Sequence, residues 1–321
     1  MLNNTIKRLS AIVMAAMLLT FCGCTSNSQK DITTAENTDR ITFTDDLERE
    51  VTVSKSPQKV AALIGSFADV WILAGGSICA APEDAWSDFG LELGDAVNLG
   101  GAHSPSLEQL LSADPDFVIA SASTAADVDM KDVLENAGIA VAYFDVDCFE
   151  DYLNMLNICT DITGRKDLYE QNGLNIQKKI DNIKTDMKNK NVPEEQRTVL
   201  MLRAASGFVK AKGSKGTILG EMLSDMGCIN IADSDKSLLE NLSIESIINA
   251  NPYHIFVVTM GDDTEAAKRS LSRIMEENPA WNDLDAVKEN RMHFMDKKLF
   301  NLKPNVRWAD AYEQLYEILQ K

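Results

Sequence analysis

Ser106-Leu107-Glu108-Gln109-Leu110-Leu111-Ser112-Ala113-Asp114-Pro115-Asp116-Phe117-Val118-Ile119 returns later in the chain as Ser243-Ile244-Glu245-Ser246-Ile247-Ile248-Asn249-Ala250-Asn251-Pro252-Tyr253-His254-Ile255-Phe256. Each copy opens on a serine whose hydroxyl can cap a helix, with an acidic residue in the first turn where the helix dipole favours it. An apolar stripe at helical spacing follows, and Ala-x-Pro closes the helix ahead of a short apolar strand. A second echo lies at nearly the same offset, because Lys59-Val60-Ala61-Ala62-Leu63-Ile64 and Arg197-Thr198-Val199-Leu200-Met201-Leu202 both carry strand signals. Two echoes at one spacing point to two similar lobes.

The surrounding sequence extends the pattern. Ile41 to Val53 alternates around a polar turn and predicts a hairpin. Strands are then expected at 60–64, 77–80, 117–120 and 139–145, separated by helices at 67–74, 106–113 and 129–137. In the second half, strands at 198–203, 228–231, 254–259 and 291–295 alternate with helices at 216–226, 243–250, 264–276 and 306–320. Such alternation means mostly parallel sheets covered on both faces. Between the halves Tyr169, Gly173, Ile176, Ile180, Ile183 and Met187 recur at three- and four-residue steps, predicting one amphipathic helix from Lys166 to Lys190. About 25 helical residues span roughly 37 Å, enough to run the length of a lobe. The expected fold is α/β, with two Rossmann-like lobes, 41–164 and 193–321, joined by a linker helix over 165–192.

Lys7 and Arg8, an apolar run from Ala11 to Phe21 and then Cys22-Gly23-Cys24 form a secretory signal over residues 1–23, too short for a membrane span. The segment resembles a bacterial lipoprotein signal, which makes Cys24 the acylated N-terminus and tethers the protein to the outer face of the cytoplasmic membrane. Cys22 as the anchor would place Leu19 three positions upstream but leave bulky Phe21 at the cleavage point. Residues 24–40 are polar and read as a flexible tether.

With 45% hydrophobic residues the rest of the chain can build real cores. Removing Lys7 and Arg8 with the signal moves the net charge two units beyond −18, to −20. So acidic a chain is a poor partner for nucleic acid or anionic lipid, which leaves the lipid anchor as its contact with the membrane. Cys79, Cys148, Cys159 and Cys228 show no CxxC spacing. A Cys148–Cys159 disulfide is open in that compartment, beside the reading of all four as buried thiols. His103, His254 and His293 have no helical ligand spacing, so no histidine metal site is expected.

In the order of its elements and its lipoprotein start, the chain resembles the solute-binding proteins of ABC importers whose lobes are joined by one long helix. The resemblance covers nearly all of residues 41–321 and includes Thr44-Asp45-Asp46-Leu47-Glu48-Arg49-Glu50-Val51, with Glu48 where the family often has glycine. It implies a cargo among ferric siderophores, haem and cobalamin, a permease and its ATPase as partners, no cofactor, a monomer and a modest closing motion. It also implies that Glu108 and Glu245 dock into arginine pockets of the permease, and that His103 contacts ligand. Ligands of open α/β sheets lie beyond the carboxyl ends of the strands. There Trp86, Phe208 and Phe300 are expected against a flat or chelated ligand, and Arg203, Lys212 and Lys298 against its anionic oxygens.

A sensing lipoprotein and an extracytoplasmic enzyme are the competing functions. The chain has no GxSxG or HExxH, and Lys212-Gly213-Ser214-Lys215-Gly216-Thr217 lacks Walker spacing, which favours binding over catalysis.

Overall fold

Two alternating runs, Arg40–Thr44 (β1) and Glu50–Ser54 (β2), pair antiparallel with Ile41 opposite Val53 and Phe43 opposite Val51. In that register all four side chains share the face that packs on the core. The computed structural model describes residues 39–261 and 263–320, so the signal, Cys24 and all but the last two tether residues lie outside the described residues. The hairpin turn is tied down by Asp45, whose buried carboxylate accepts the backbone N–H groups of Leu47, Arg49 and Tyr143 and pairs with the Arg49 guanidinium. That guanidinium also lies 4.8 Å over the Tyr143 ring. Glu48, in the same turn, has φ 59°. Glycine occupies that left-handed region freely, so the turn keeps a glycine-type conformation with a glutamate held in it.

The N-terminal lobe is a five-stranded sheet in the order β5-β4-β3-β6-β7, formed by β3 (Val60–Ala62), β4 (Ile78–Ala81), β5 (Val97–Asn98), β6 (Phe117–Ser121) and β7 (Ala140–Phe144), all parallel. In the C-terminal lobe β8 (Thr198–Ala205), β10 (Ile229–Asn230), β11 (His254–Thr259) and β12 (Met292–Met295) run parallel in the order β10-β8-β11-β12. An antiparallel strand, β9 (Phe208–Lys212), folds back on β8. Sequence periodicity missed β5, β9 and the helix Phe149–Thr163, whose apolar content resembles a buried run more than an amphipathic stripe.

Alternate residues of each sheet enter separate cores. Ala61, Val118, Ala120 and Val141 face an outer core with Leu110 of the helix Leu107–Ser112, while Leu200, Leu202, Ile255 and Val257 face another with Ile247 of the helix Ile244–Ala250. The repeated modules thus occupy matching places on the two sheets. The opposite faces, including Phe144, Met201 and Phe256, enter one core shared with Ile176, Ile180 and Met187 of the linker and with Trp308, Tyr312 and Leu315 of the closing helix Trp308–Leu319. Phe149 and Trp308 meet edge to face within it at 5.9 Å.

The linker departs from the predicted single α-helix. Lys166–Tyr169 and Asn175–Asn189 are α-helical, but Glu170–Leu174 winds as a π-turn. Here the linker crosses the helix Phe149–Thr163 so closely that a Cβ on Gly173 would lie 3.0 Å from Leu153. Asn172 is turned inward, donating to the Leu73 carbonyl at 2.8 Å while its own carbonyl accepts the Tyr152 hydroxyl at 2.8 Å. The wider turn accommodates both bonds.

The four cysteines from Cys79 onward are free thiols. Cys148 caps the helix that carries Cys159. Eleven helical residues separate them by about 16 Å, beyond disulfide reach.

Replacing Glu48 with glycine is expected to stabilise the protein by about 0.5–1 kcal/mol in urea unfolding, because the left-handed backbone no longer strains a side chain. An unchanged midpoint would show that the Asp45 network already absorbs the strain.

Candidate ligand-binding site

The carboxyl ends of the parallel strands open onto loops, and those of the two lobes meet. Lys297, just after β12, reaches Asp88, in the loop that follows β4, at 3.0 Å. Asn305, ahead of the closing helix, donates from one side-chain nitrogen to the Ser66 carbonyl and the Asp69 carboxylate, both at 2.8 Å. Ser66 and Asp69 lie in the helix Gly65–Leu73 that follows β3.

Opposite charges face each other across this junction. On the C-terminal side, Arg203 near the end of β8, Lys212 at the end of β9 and Lys303 in the loop before Pro304 form a cationic group. Burial pulls the affinities of all three for protons below their ordinary values, and Arg203 depresses both lysines further. Arg203 Nε is buried and has no hydrogen-bond partner. On the N-terminal side Asp145 and Asp147 follow β7. The Asp145 amide donates to Asp46 at 2.7 Å, and that of Asp147 to Asp151 at 3.0 Å. Burial, reinforced by Asp145, raises the Asp147 carboxyl, while Lys303 opposes the shift. Asp147 in turn favours the charged forms of Arg203 and Lys303.

The expected contact residues divide. Arg203 and Lys212 stand together. Trp86, on the short helix Asp84–Ser87, is partly buried against the shared core. Phe208 is exposed at the start of β9, with Lys210 5.6 Å from its ring centre. His103 is exposed in the loop before Leu107, and Lys298 is exposed on the helix Lys297–Phe300, its amide capped by Asp296. Phe300 corrects the sequence reading: it is 1% exposed inside the shared core and unavailable to a ligand. Lys297–Phe300 is a helical turn that buries Leu299 and Phe300.

Lys303, Asp145 and Asp147 were missed. The strand-end rule covers the loop after β7 and points to both aspartates. Nothing local distinguishes Lys303, which comes to the junction only because the closing helix packs back on the linker.

A groove of about 660 Å³ also runs along the linker, lined by residues including Lys184, Met187, Lys188, Arg197 and Met226. Arg197 and Gly227, also in its wall, precede β8 and β10, so it lies at the amino ends of those strands. The charged junction lies at their carboxyl ends, where α/β sheets hold ligands, and is therefore the candidate site.

Residues 60–299 match the periplasmic binding protein family, and the chain belongs to it. The family consists of solute-binding proteins and not enzymes. The chain is similar to YvrC of Bacillus subtilis, an uncharacterized ABC transporter substrate-binding lipoprotein, at 24% identity over 321 residues, covering 96% of this chain and 95% of that one. It is also similar to the high-affinity heme uptake system protein IsdE of Staphylococcus aureus, at 22% identity over 228 residues, covering 71% of this chain and 75% of the relative. Among solved structures, Staphylococcus aureus SirA complexed with staphyloferrin B shares the fold with a TM-score of 0.68 at 21% identity, covering 87% of this chain and 98% of that one.

Near these loops Asp127 is wholly buried. Its Oδ2 accepts the Ser121 amide at 2.9 Å, and its Oδ1 has no partner. Burial pushes its pKa up to about 7. A carboxyl that holds its proton more tightly in the folded state contributes stability that is complete below about pH 4 and is lost as pH rises through 7. Between pH 4 and 8 the wild-type protein is expected to lose up to about 4 kcal/mol more than Asp127→Asn in urea unfolding. Parallel pH profiles would mean that the carboxyl ionises without penalty.

Proposed function

We propose that this chain is the extracytoplasmic substrate-binding component of an ABC importer, and that it carries an iron chelate between its lobes. The observation behind the cargo is the convergence of Arg203, Lys212 and Lys303 with an unpartnered Arg203 Nε. Three cations drawn partly out of water favour a ligand that presents several anionic oxygens, as the catecholate, carboxylate and hydroxamate groups of a ferric siderophore do. Trp86 and Phe208 supply apolar surface for the body of such a chelate. Staphyloferrin B in SirA is one cargo of this kind. Haem, the cargo in the name of IsdE, is the other reading, since its propionates offer fewer anionic oxygens to the same cations.

In this reading Cys24 carries the lipid anchor, as in a lipoprotein such as YvrC, and Glu108 and Glu245 are the docking carboxylates. Both are exposed in the first turns of the matching helices Leu107–Ser112 and Ile244–Ala250. Two carboxylates at equivalent places on two lobes suit a permease built from two similar halves, with paired charges setting the register.

Trp71, Trp281 and Trp308 are fully buried, which leaves Trp86 as the tryptophan placed to report on cargo. Its fluorescence is expected to change on titration with ferric siderophores, and Arg203→Ala should weaken the response at least tenfold, in keeping with loss of a charge-assisted contact. Silence toward ferric siderophores, haem and cobalamin, with tight binding of a sugar or amino acid, would overturn the cargo class.

For docking, the Glu108→Ala, Glu245→Ala double variant is expected to lose uptake while keeping its cargo affinity. Unchanged uptake would remove these residues from the interface.

A further inference from the structure

The two modules share a feature that docking through carboxylates alone does not use. Both helices are capped alike, the Ser106 and Ser243 hydroxyls accepting the amides of Gln109 and Ser246 at 3.3 Å. Both bury the equivalent aliphatic residue, Leu110 and Ile247, and both end on a left-handed residue, Asp114 at φ 51° and Asn251 at φ 39°. One position beyond the buried residue, each exposes a large aliphatic side chain: Leu111 is 38% exposed and Ile248 36%. These lie three residues after Glu108 and Glu245, one turn along the same helix face.

A single exposed leucine needs no explanation. Two at the same position of two separate modules are a different matter, because other surface positions diverge between the copies: Gln109 corresponds to Ser246 and Ser112 to Asn249. Of the helix positions exposed in both copies, the two that match are the carboxylate and, one turn on, the aliphatic group.

We propose that Leu111 and Ile248 are the apolar halves of two matching docking sites, each seating against the permease beside Glu108 or Glu245 and shielding that carboxylate's ion pair from water. The inference rests on the docking reading above. An ion pair ringed by apolar contact sits in a lower dielectric and is stronger than the same pair in water, which is how near-neutral rim contacts support a hot spot. The partner this chemistry fits offers a cation bordered by apolar side chains at two places. A lipid surface fits less well, because the adjacent carboxylates and the net charge of −20 left once Lys7 and Arg8 are removed with the signal are repelled by anionic headgroups.

Leu111→Gln and Ile248→Gln keep helix propensity and approximate size while removing the apolar contact. Binding of each variant to the chain's own permease and ATPase in lipid nanodiscs is expected to weaken about three- to tenfold, and that of the double variant about ten- to a hundredfold. The residual binding of the double variant should be more sensitive to salt than that of the wild type, because its ion pairs are no longer shielded. Cargo affinity and melting temperature should stay unchanged. Full affinity of the double glutamine variant, with loss of affinity in the Glu108→Ala, Glu245→Ala variant, would overturn the apolar sites and leave carboxylate docking standing. Retained affinity in the alanine variant would remove the docking reading itself. An equal loss of binding to nanodiscs without the permease would reassign the side chains to lipid and likewise overturn the proposal.

Discussion

A single apolar core joins the two lobes through the linker. Phe144, Phe149, Met201 and Phe256 meet Ile176, Ile180, Trp308 and Tyr312 in one continuous cluster. Separating the lobes would expose apolar surface at about 25 cal/mol per Å², so large hinge motions are opposed by the hydrophobic effect as well as by the stiffness of the helix. The closing helix is fastened at both ends of this arrangement: Tyr312 donates to Asp225 of the C-terminal lobe at 2.7 Å, and Asn305 just ahead of the helix bonds to Ser66 and Asp69 of the N-terminal lobe. The π-turn belongs to the same constraint, since it lets Asn172 reach the N-terminal lobe without breaking the linker.

Because the core holds the lobes together, the strand ends confront each other and their charges are forced to interact. Asp145 and Asp147 stand on one side, Arg203, Lys212 and Lys303 on the other. An anionic ligand entering this junction would replace carboxylates as the partner of the cations, exchanging one set of ionic contacts for another. That exchange would suit reversible binding, because water is already partly excluded from the cations.

The repeated Ser-x-Glu module speaks to the outside of the molecule. Its buried leucine or isoleucine fixes the helix on the outer face of a sheet, and that packing turns the glutamate and the next aliphatic residue outward. The charged strand ends therefore face inward to the junction, and the repeated helices face outward.

The α/β alternation, the two-lobed repeat, the linking helix and the outward glutamates were legible in the sequence, because each rests on a periodicity or cap local to a dozen residues. Arg203 closes a strand that the sequence predicts, whereas Lys212 lies at the end of β9, which no local periodicity marks. The remaining features depend on long-range packing. Phe300 was drawn into the shared core because a one-turn helix pointed its apolar side inward, and Lys303 reached the junction because the closing helix packs against the linker. The π-turn arose from a close crossing at Gly173 that no helical periodicity records. Each of these depends on contacts between residues far apart in the chain, whose geometry is set by packing and burial and not by local preference.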